Sequence, residues 1–394
     1  MNANPQITAE PGHHAHAESS SSVLVTPSFS IAGRSVAAFH LCGTIGFVLS
    51  LATWFGATSL RGLSLWVMAA LVASSICTFL GLALLTKLVT GQETLVYYRH
   101  EVLVLGVAGL VLWGMGEPVL AYLDLTLLGV GVFLGCGRVG CLMVGCCYGR
   151  PHWLGVRYGH QHAAAGFPHA LVGVRLLPVQ LIEAVTVASV VAGGLWAVAR
   201  GAAPGEVLAW YSVVYGVVRF GLEFARGDGG RPYYGSFSEA QWTTAVLMGL
   251  VAVAELLGVL PREPWHLVVT AALMVFMLAW GLTDGANRRL FRAAHLEELA
   301  AVLRAAESRS RESGQLHMGE TRGGLRLSAC TLAKESSKLH TLAFSGTGAA
   351  LSASTAERLA VVLSRLEGKP GQLIRGRAGV YHLVFAEAGG EHGV

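Results

Sequence analysis

The sequence predicts an all-α integral membrane protein with seven or eight transmembrane helices, followed by a small C-terminal soluble α+β extension. Hydrophobic residues make up 53% of the 394 positions and charged residues only 13%, and the mean hydropathy is +0.54. In soluble domains, about a quarter of all residues are charged. Residues 35–60 and 62–86 contain no Asp, Glu, Lys or Arg. Each run is long enough for a helix to cross a hydrocarbon core of about 30 Å, so both are predicted spans.

Six more apolar runs predict the remaining spans of a membrane domain, which we place at residues 31–284. They lie at about 100–116, 121–144, 178–199, 205–224, 239–260 and 265–283. Residues 1–30 lack the basic start and apolar core of a signal peptide, and they predict a disordered leader rich in His and Ser. Its His13, His14 and His16 are expected to belong to a flexible tail rather than to a metal site.

Residues 285–394 are predicted to form a helical linker and a small soluble domain. Hydropathy falls there, and the arginines that mark the end of the membrane domain are Arg288, Arg289 and Arg292. By the positive-inside rule they favour a cytoplasmic C-terminus. Helical character continues through Glu312. Strand-like runs GLRLSACTL, LHTLAFSG and VYHLVFAE follow, with a helix at AERLAVVLSRL for which Ser352 or Ser354 is the candidate N-cap.

The most informative stretch is GRVGCLMVGCCYGR at residues 137–150, because it places Arg138 at the end of an apolar segment. A charged side chain at bilayer depth costs at least about 2–3 kcal/mol unless it faces the bundle interior, water or an anionic partner. Phospholipid headgroups are one such partner. Arg138 is therefore a candidate site residue.

Four of the seven cysteines lie close together at Cys136, Cys141, Cys146 and Cys147. Steps of five residues rotate by about 140° on an α-helix, so the first three are not expected to share one face. This spacing differs from the C-x-x-C pairs typical of zinc and iron–sulfur sites, and we predict no metal site and no cofactor. We favour packing of small residues among the glycines of this segment. A reactive thiol pair of Cys146 and Cys147 is the alternative.

A second polar group lies in YGVVRFGLEFARGD at residues 215–228. Arg219 and Glu223 are four residues apart there and hence neighbours on one helix face. A structural ion pair is one interpretation. Because ionisable groups inside membranes usually mark functional sites, we favour an arginine that binds an anion and is held by the glutamate.

Two histidines are candidates for a general base, because an unperturbed imidazole titrates near neutral pH. His100, close to the start of the third predicted span, is the better candidate. His40 is expected to be buried in the first span, where it has no evident partner. Glu183, close to the start of another span, is equally consistent with a charge at the membrane interface and with a functional role.

Taken in order, these segments resemble the prolipoprotein diacylglyceryl transferase family. GRSVAAFHLCGTIGF resembles the family's first span, and GRVGCLMVGCCYGR resembles its signature. LPVQLIEA at residues 177–184, YGVVRFGLEFARGD, and SFSEAQW at residues 236–242 resemble three later family segments. The five matches cover roughly residues 30–260. The apolar run at 265–283 and the C-terminal extension lie beyond the family's usual seven-span plan.

The resemblance implies a multi-pass enzyme of the bacterial inner membrane. It would move a diacylglyceryl group from phosphatidylglycerol to the lipobox cysteine of a preprolipoprotein. Arg138 and Arg219 would hold and neutralise the phosphate, Glu223 would orient Arg219, and His100 or His40 would supply the base. The residues expected to bind substrate are Gly140, Gly149, Arg150, Gln180 and Glu183. The expected partners are phosphatidylglycerol, the lipobox segment and membrane lipids; the net charge of +4 and scattered basic residues argue against nucleic acid.

The chain departs from the family pattern at several positions. Cys141 and Cys146 stand where the signature has asparagine and glutamate, and His40 stands where the first span has tyrosine. The two glycines that follow the family's histidine are replaced by Glu101 and Val102. An alternative hypothesis is therefore a non-catalytic or redox-regulated phospholipid-binding membrane protein, in which Cys141, Cys146 and Cys147 form a thiol switch.

Overall fold

The computed structural model consists mostly of helices, with a β-rich region after the last membrane helix. The structure describes residues 25–91, 97–168, 171–228, 233–234, 236–283, 290–291, 293–313, 316–334, 337–348 and 350–386. The leader histidines His13, His14 and His16, and the arginines Arg288, Arg289 and Arg292, lie outside the described residues.

Eight long helices, within the described residues up to 283, correspond to the eight apolar runs of the sequence. In chain order, with the short α5 among them, the helices are α1 (Ala38–Leu60), α2 (Leu65–Thr90), α3 (Tyr97–Met115), α4 (Val119–Val144), α5 (His160–Ala164), α6 (Val179–Ala199), α7 (Glu206–Ala225), α8 (Glu239–Leu256) and α9 (Pro264–Thr283). Of these, α1, α2, α4, α6, α7 and α9 are long and apolar enough to cross a membrane, and α3 contributes a shorter apolar segment, His100–Met115. The predicted multi-pass helical membrane protein is confirmed.

Short antiparallel strand pairs lie at the ends of the spans. They are β1 (Ser28–Ile31) with β2 (Arg34–Ala37), β3 (Pro151–Arg157) with β4 (Arg175–Leu176), and β5 (Tyr233–Tyr234) with β6 (Phe237–Ser238). The first pair precedes α1, the second lies in the long loop between α4 and α6, and the third leads into α8. All three flank the same ends of the helices, because successive long helices reverse direction.

Helix α4 lies at the centre of the bundle, and half of its residues are buried inside the protein. Small residues allow this close packing, as is usual between membrane helices. A Cβ atom at Gly129 would lie 2.1 Å from the Trp54 indole, and one at Gly131 would lie 2.7 Å from Val191. Trp54 Nε1 in turn donates a hydrogen bond of 2.9 Å to the Thr126 carbonyl. These contacts fix α1 and α6 against α4.

The N-terminus of α7 is bound by a carboxylate from α4. Asp124 accepts hydrogen bonds from the backbone N–H groups of Gly205, at 2.8 Å, and Leu208, at 2.7 Å. Asp124 is buried, and the first N–H groups of a helix have no partner within the helix. A negative charge there also interacts favourably with the helix dipole. Asp124 therefore sets the position of α7 relative to α4, and both helices carry candidate site residues.

The C-terminal region forms a five-stranded antiparallel sheet covered by two helices. Its elements are α10 (Ala293–Ser313), β7 (His317–Glu320), β8 (Leu325–Lys334), β9 (Ser337–Gly346), α11 (Ala353–Glu367), β10 (Gln372–Arg375) and β11 (Tyr381–Ala386), with strand order β10-β11-β9-β8-β7. Alternate side chains such as Leu325, Leu327 and Leu342 join Leu303 of α10 and Leu363 of α11 in one core. The sheet and both helices therefore bury a single common face.

Of the two candidate N-caps for α11, Ser352 is the one that caps the helix. Its hydroxyl accepts a hydrogen bond of 3.2 Å from the Thr355 N–H. Ser354 lies within the helix and is buried. The helix ends at Glu367, and Gly368 follows in the left-handed conformation that favours glycine.

This C-terminal domain contacts the loop between α4 and α6. Ile374 packs in a cluster with Tyr148, Tyr158 and Val25, and the Arg375 guanidinium donates a 3.1 Å hydrogen bond to a carbonyl at the end of α7. The side chains that make the cluster lie on the face of β10 and β11 opposite to the helices. The loop, the ends of α4 and α7, and the C-terminal domain therefore lie on one side of the bundle.

Replacing Asp124 by alanine is expected to lower the free energy of unfolding in detergent micelles by about 2–3 kcal/mol, because two buried N–H donors lose their acceptor. The control is Glu206→Ala, which removes the carboxylate that accepts from the Ala203 N–H at the same helix end in a more exposed setting. That change should cost about 1 kcal/mol or less. Equal losses for the two variants would contradict this role of Asp124.

Candidate active site

A cavity of about 920 Å³ lies between α1, α2, α3, α4, α7 and α8. Its deep end is apolar and includes Leu120, Leu208 and Leu260. Its titratable lining residues of acidic or basic type are His100, Glu101, Arg138, Arg219, Glu223, Arg226 and Glu239. These residues come from the start of α3, the end of α4, the end of α7 and the start of α8, which are the helix ends on the loop side. The cavity is therefore amphipathic along the bundle axis, as a phospholipid is.

Glu183 of α6 holds the two predicted membrane arginines. Arg138 Nε lies 2.9 Å from one of its carboxylate oxygens, and Arg219 Nε lies 3.7 Å from the other. The Tyr215 hydroxyl donates a 2.8 Å hydrogen bond to the same carboxylate. The Glu183 side chain is only 7% exposed and does not line the cavity, so it contacts the arginines on the side that faces away from the cavity. Glu183, which is expected to bind substrate, thus contacts Arg138, Arg219 and Tyr215 and does not border the cavity.

A second ion-pair group lies at the end of α7. Arg219 Nη1 donates a 2.6 Å hydrogen bond to Glu223, the partner that its spacing predicts. Arg226 forms a bidentate ion pair with Asp228, in which Nε and Nη2 donate to the carboxylate at 2.9 and 2.5 Å. Its Nη1 lies 4.0 Å from a carboxylate oxygen of Glu223. Carboxylates thus fix the orientation of all three guanidiniums beside the cavity.

The signature segment leaves the helix just where its cysteines cluster. Helix α4 ends at Val144, and Gly145 continues in the left-handed conformation with φ of +81°. Cys147 also has a positive φ, of +57°, which is uncommon for a residue other than glycine and costs about 1–3 kcal/mol. The resulting turn brings the sulfur atoms of Cys141, Cys146 and Cys147 within 4.8 Å of one another. The five-residue spacing does not keep Cys141 and Cys146 apart as expected, because the helix ends before Cys146, whereas Cys136 does not belong to this group of sulfur atoms.

Gln180 stabilises this turn from α6. Its side-chain amide donates a 2.6 Å hydrogen bond to the Cys146 carbonyl, and its side chain is buried outside the cavity lining. Tyr158 packs beside the turn, and desolvation there raises the pKa of its hydroxyl. Hydrogen bonds from the Cys141 and Cys146 thiols, aided by nearby guanidiniums, lower the pKa of the Cys147 thiol.

The other three residues expected to bind substrate, like Gln180 and Glu183, lie outside the lining of the cavity. A Cβ atom at Gly140 would lie 3.1 Å from Phe39, so this glycine serves the packing of α4 on α1. The Gly149 N–H donates to the Leu177 carbonyl at 2.9 Å, and the Arg150 N–H donates to the Ala225 carbonyl at 3.0 Å. The Gly149–Arg150 backbone therefore joins the loop to the end of α7, and the Arg150 side chain is exposed.

The two candidate bases occupy different environments. His100 is buried at 3% exposure, packs on Phe79 with 4.7 Å between ring centroids, and lines the cavity. His40 is exposed and is not among the lining residues. The expectation that His40 is buried was wrong: α1 begins at Ala38, so His40 lies in the first helical turn on an outward face. Of the two, only His100 borders the site.

Sequence reasoning missed Tyr215 and Arg226 as site residues, although both lie in the segment that supplied Arg219. Tyr215 is two turns before Glu223 on α7, and Arg226 directly follows the helix. Their signal was present as a polar residue every three or four positions along an otherwise apolar helix. Glu101, noted only as a departure, lines the cavity within electrostatic range of Arg138 and Glu183.

These features define a multi-pass membrane protein with an amphipathic cavity whose charged end is bordered by three arginines. Residues 100–257 match the family model of prolipoprotein diacylglyceryl transferase, and the resemblance drawn from the motifs is confirmed over this part of the chain. This segment contains His100, the signature, Glu183 and the α7 arginines.

Two relatives support the same resemblance. A phosphatidylglycerol–prolipoprotein diacylglyceryl transferase of Clostridium tetani is 35% identical over 112 residues, which are 28% of this chain and 43% of the relative. Phosphatidylglycerol–prolipoprotein diacylglyceryl transferase 2 of Clostridium perfringens is 30% identical over 112 residues, 28% of this chain and 41% of the relative. The chain therefore spans about two fifths of the length of these relatives.

A double-mutant cycle with Arg138→Gln and Glu183→Gln is expected to give a coupling energy of about 2–3 kcal/mol in unfolding measurements in micelles. Removing one partner leaves the other buried without compensation, whereas removing both relieves that cost. The matched control is the exposed pair Arg326–Glu320, at 3.5 Å, for which we expect about 0.2–1 kcal/mol. Similar coupling in the two pairs would contradict a special role of Glu183.

Proposed function

We propose that this protein transfers a diacylglyceryl group from phosphatidylglycerol to the thiol of a lipobox cysteine in a preprolipoprotein. The observation that carries the proposal is the set of three guanidiniums at the charged end of an apolar cavity, within the segment that matches the family model. The proposal places the protein in the bacterial inner membrane, with phosphatidylglycerol, preprolipoproteins and membrane lipids as its partners.

The cavity offers a phospholipid both kinds of surface that it needs. Acyl chains would extend along the apolar side chains toward Leu120 and Leu260, and the phosphate would lie at the arginine end. Arg138 contacts Glu183 through Nε, and the planar guanidinium has further N–H donors in a geometry suited to phosphate. Arg219 likewise engages Glu223 through one terminal nitrogen.

Charge development explains why arginines suit this reaction. As the bond between the glycerol carbon and the phosphate oxygen breaks, the glycerol phosphate that leaves gains negative charge. Cations that are already oriented in a dry site stabilise that charge without the cost of reorganisation. Glu183 and Glu223 would provide this orientation, and we assign them positioning roles behind Arg138 and Arg219.

The acceptor thiol needs to lose its proton before it attacks. A thiol with a pKa of about 8.5 is only a few per cent ionised at pH 7, so a nearby base raises the rate. His100 lines the same cavity as the arginines and is our candidate for that base. His40, which faces away from the cavity, is not assigned a role in the proposed reaction.

A second candidate function is a redox-regulated phospholipid-binding protein without transferase activity. The specific observation in its favour is the cluster of Cys141, Cys146 and Cys147 beside the arginines, where a disulfide would alter the charged end of the cavity. This hypothesis predicts lipid binding that is lost on oxidation and restored by thiols. It also predicts that replacing the three cysteines by serine abolishes the oxidant sensitivity.

The Arg138→Ala variant is expected to transfer diacylglyceryl from labelled phosphatidylglycerol to a lipobox peptide at least about 100-fold more slowly than the unmodified protein. The control is Arg200→Ala, which removes a guanidinium stacked on Trp196 at the far end of α6. Transfer by the control should be close to normal. An absence of transfer by the folded, unmodified protein with several acceptor peptides would overturn the proposed function.

The His100→Gln variant is expected to lose about 10²–10⁴-fold in transfer rate at neutral pH, because the acceptor thiol has lost its base. Raising the pH toward the pKa of the free thiol should increase the transfer rate of the variant more than that of the unmodified protein, since hydroxide then ionises the thiol. His152→Gln, in the loop strand β3 and outside the cavity lining, is the control. A loss without alkaline rescue would contradict the base assignment.

A further inference from the structure

Three cysteine thiols converge at the charged end of the cavity, and the proposed chemistry above gives them no role. Cys141 lies in the last turn of α4, and Cys146 and Cys147 lie in the turn that follows. Their sulfur atoms are all within 4.8 Å of one another. Among the described residues, no further His, Cys, Asp or Glu ligand atom belongs to this group.

The turn is constrained by contacts that do not involve the thiols. The N–H groups of Gly145 and Cys146 both donate to the Cys141 carbonyl, at 3.0 and 3.2 Å, and Gln180 holds the Cys146 carbonyl from α6. Cys147 keeps a left-handed backbone conformation that a cysteine rarely adopts. The backbone thus holds three sulfur atoms together in a preformed arrangement, which is what a metal site requires.

We propose that Cys141, Cys146 and Cys147 bind one zinc ion as three thiolate ligands, with a fourth coordination position open to the cavity. Zinc–sulfur bonds of about 2.3 Å in a tetrahedron separate the sulfur atoms by about 3.8 Å, which small rotations of these side chains can reach. Three protein ligands and an open position are typical of catalytic rather than structural zinc sites.

The surroundings suit the charge of such a site. Three thiolates and Zn²⁺ carry a net charge of −1, and both Arg138 and Arg226 lie within electrostatic range of Cys147. Arg226 is in turn held by Asp228 and Arg138 by Glu183. The two guanidiniums therefore partly balance the excess negative charge of the site. The zinc ion itself would offset the repulsion between the three closely spaced thiolates.

The open position would be reachable from two sides. All three cysteines line the cavity of about 920 Å³, and Cys146 and Cys147 also line a second cavity of about 1220 Å³. The far wall of that second cavity includes Ser364 and Lys369 of the C-terminal domain. A lipid and a polypeptide could thus approach the same ion from different directions.

This role rests on the proposed function: the fourth ligand would be the acceptor cysteine, activated as a zinc-bound thiolate. A coordinating thiol loses its proton, which His100 would accept. The sulfur electron pair then forms a bond to the glycerol carbon of the diacylglyceryl group, and the bond from that carbon to the phosphate oxygen breaks. Glycerol phosphate leaves with the bonding pair, and the thioether product, a weak ligand, dissociates. Zinc changes neither charge nor oxidation state.

The test uses the full-length protein in micelles, stripped with a chelator and titrated with Co²⁺, which reports tetrahedral thiolate ligation by its visible and charge-transfer absorption. We expect one thiolate-bound cobalt per chain and one zinc in the protein as purified. The variants Cys141→Ser, Cys146→Ser and Cys147→Ser should each reduce the thiolate band by about one third or lose the metal. The control Cys77→Ser, on α2 and outside the cluster, should bind as the unmodified protein does.

A lipobox peptide should shift the cobalt spectrum, whereas the same peptide with serine for cysteine should not. Histidines in the leader produce no thiolate band, so they cannot imitate the signal. A protein without thiolate-bound metal would overturn the zinc site whatever its activity. Unchanged transfer by the chelated protein would overturn the activating role and leave the proposed function intact. A cobalt spectrum that responds to the peptide without any transfer would support the site and overturn the proposed function.

Discussion

The site depends on the ion pairs that the buried carboxylate of Glu183 makes with Arg138 and Arg219. This carboxylate joins α6 to α4 and α7 within a lipid-facing bundle, where the hydrophobic effect alone does not select one helix arrangement. A buried pair gives little net stability, because desolvation offsets most of the attraction, but a wrong arrangement would leave a charge without a partner. The same carboxylate therefore favours one packing of three helices and directs both guanidiniums toward the cavity.

The second constraint is the point at which α4 ends. As long as the chain remains helical, residues five apart point in different directions, and cysteines at that spacing stay separate. At Gly145 the chain leaves the helix, and the following turn returns Cys146 and Cys147 toward Cys141. A glycine that permits a left-handed conformation thus determines the chemistry at the charged end of the cavity.

Local patterns predicted most of the fold and part of the site. The apolar runs located the eight long helices, and the four-residue spacing of Arg219 and Glu223 located a pair that the structure places at 2.6 Å. The Arg138–Glu183 contact joins residues 45 positions apart, and no local pattern reports such a distance along the chain. The outward direction of His40 depended on where α1 begins, and helix boundaries are the least certain part of a sequence-based prediction. The contact between the C-terminal domain and the loop could not be predicted from local patterns either. It depends on the direction in which each preceding helix runs.

The C-terminal domain bears on how two unlike substrates could meet. Because the loop, the ends of α4 and α7, and this domain share one side of the bundle, a cavity forms between them, and its wall includes Cys146 and Cys147. The cavity between the helices is also lined by these two residues. A reaction that joins a lipid to a polypeptide needs an apolar approach and a polar approach that end at one point. In this chain both cavities reach the turn after α4, and that turn carries Cys146, one of the residues that depart from the family pattern.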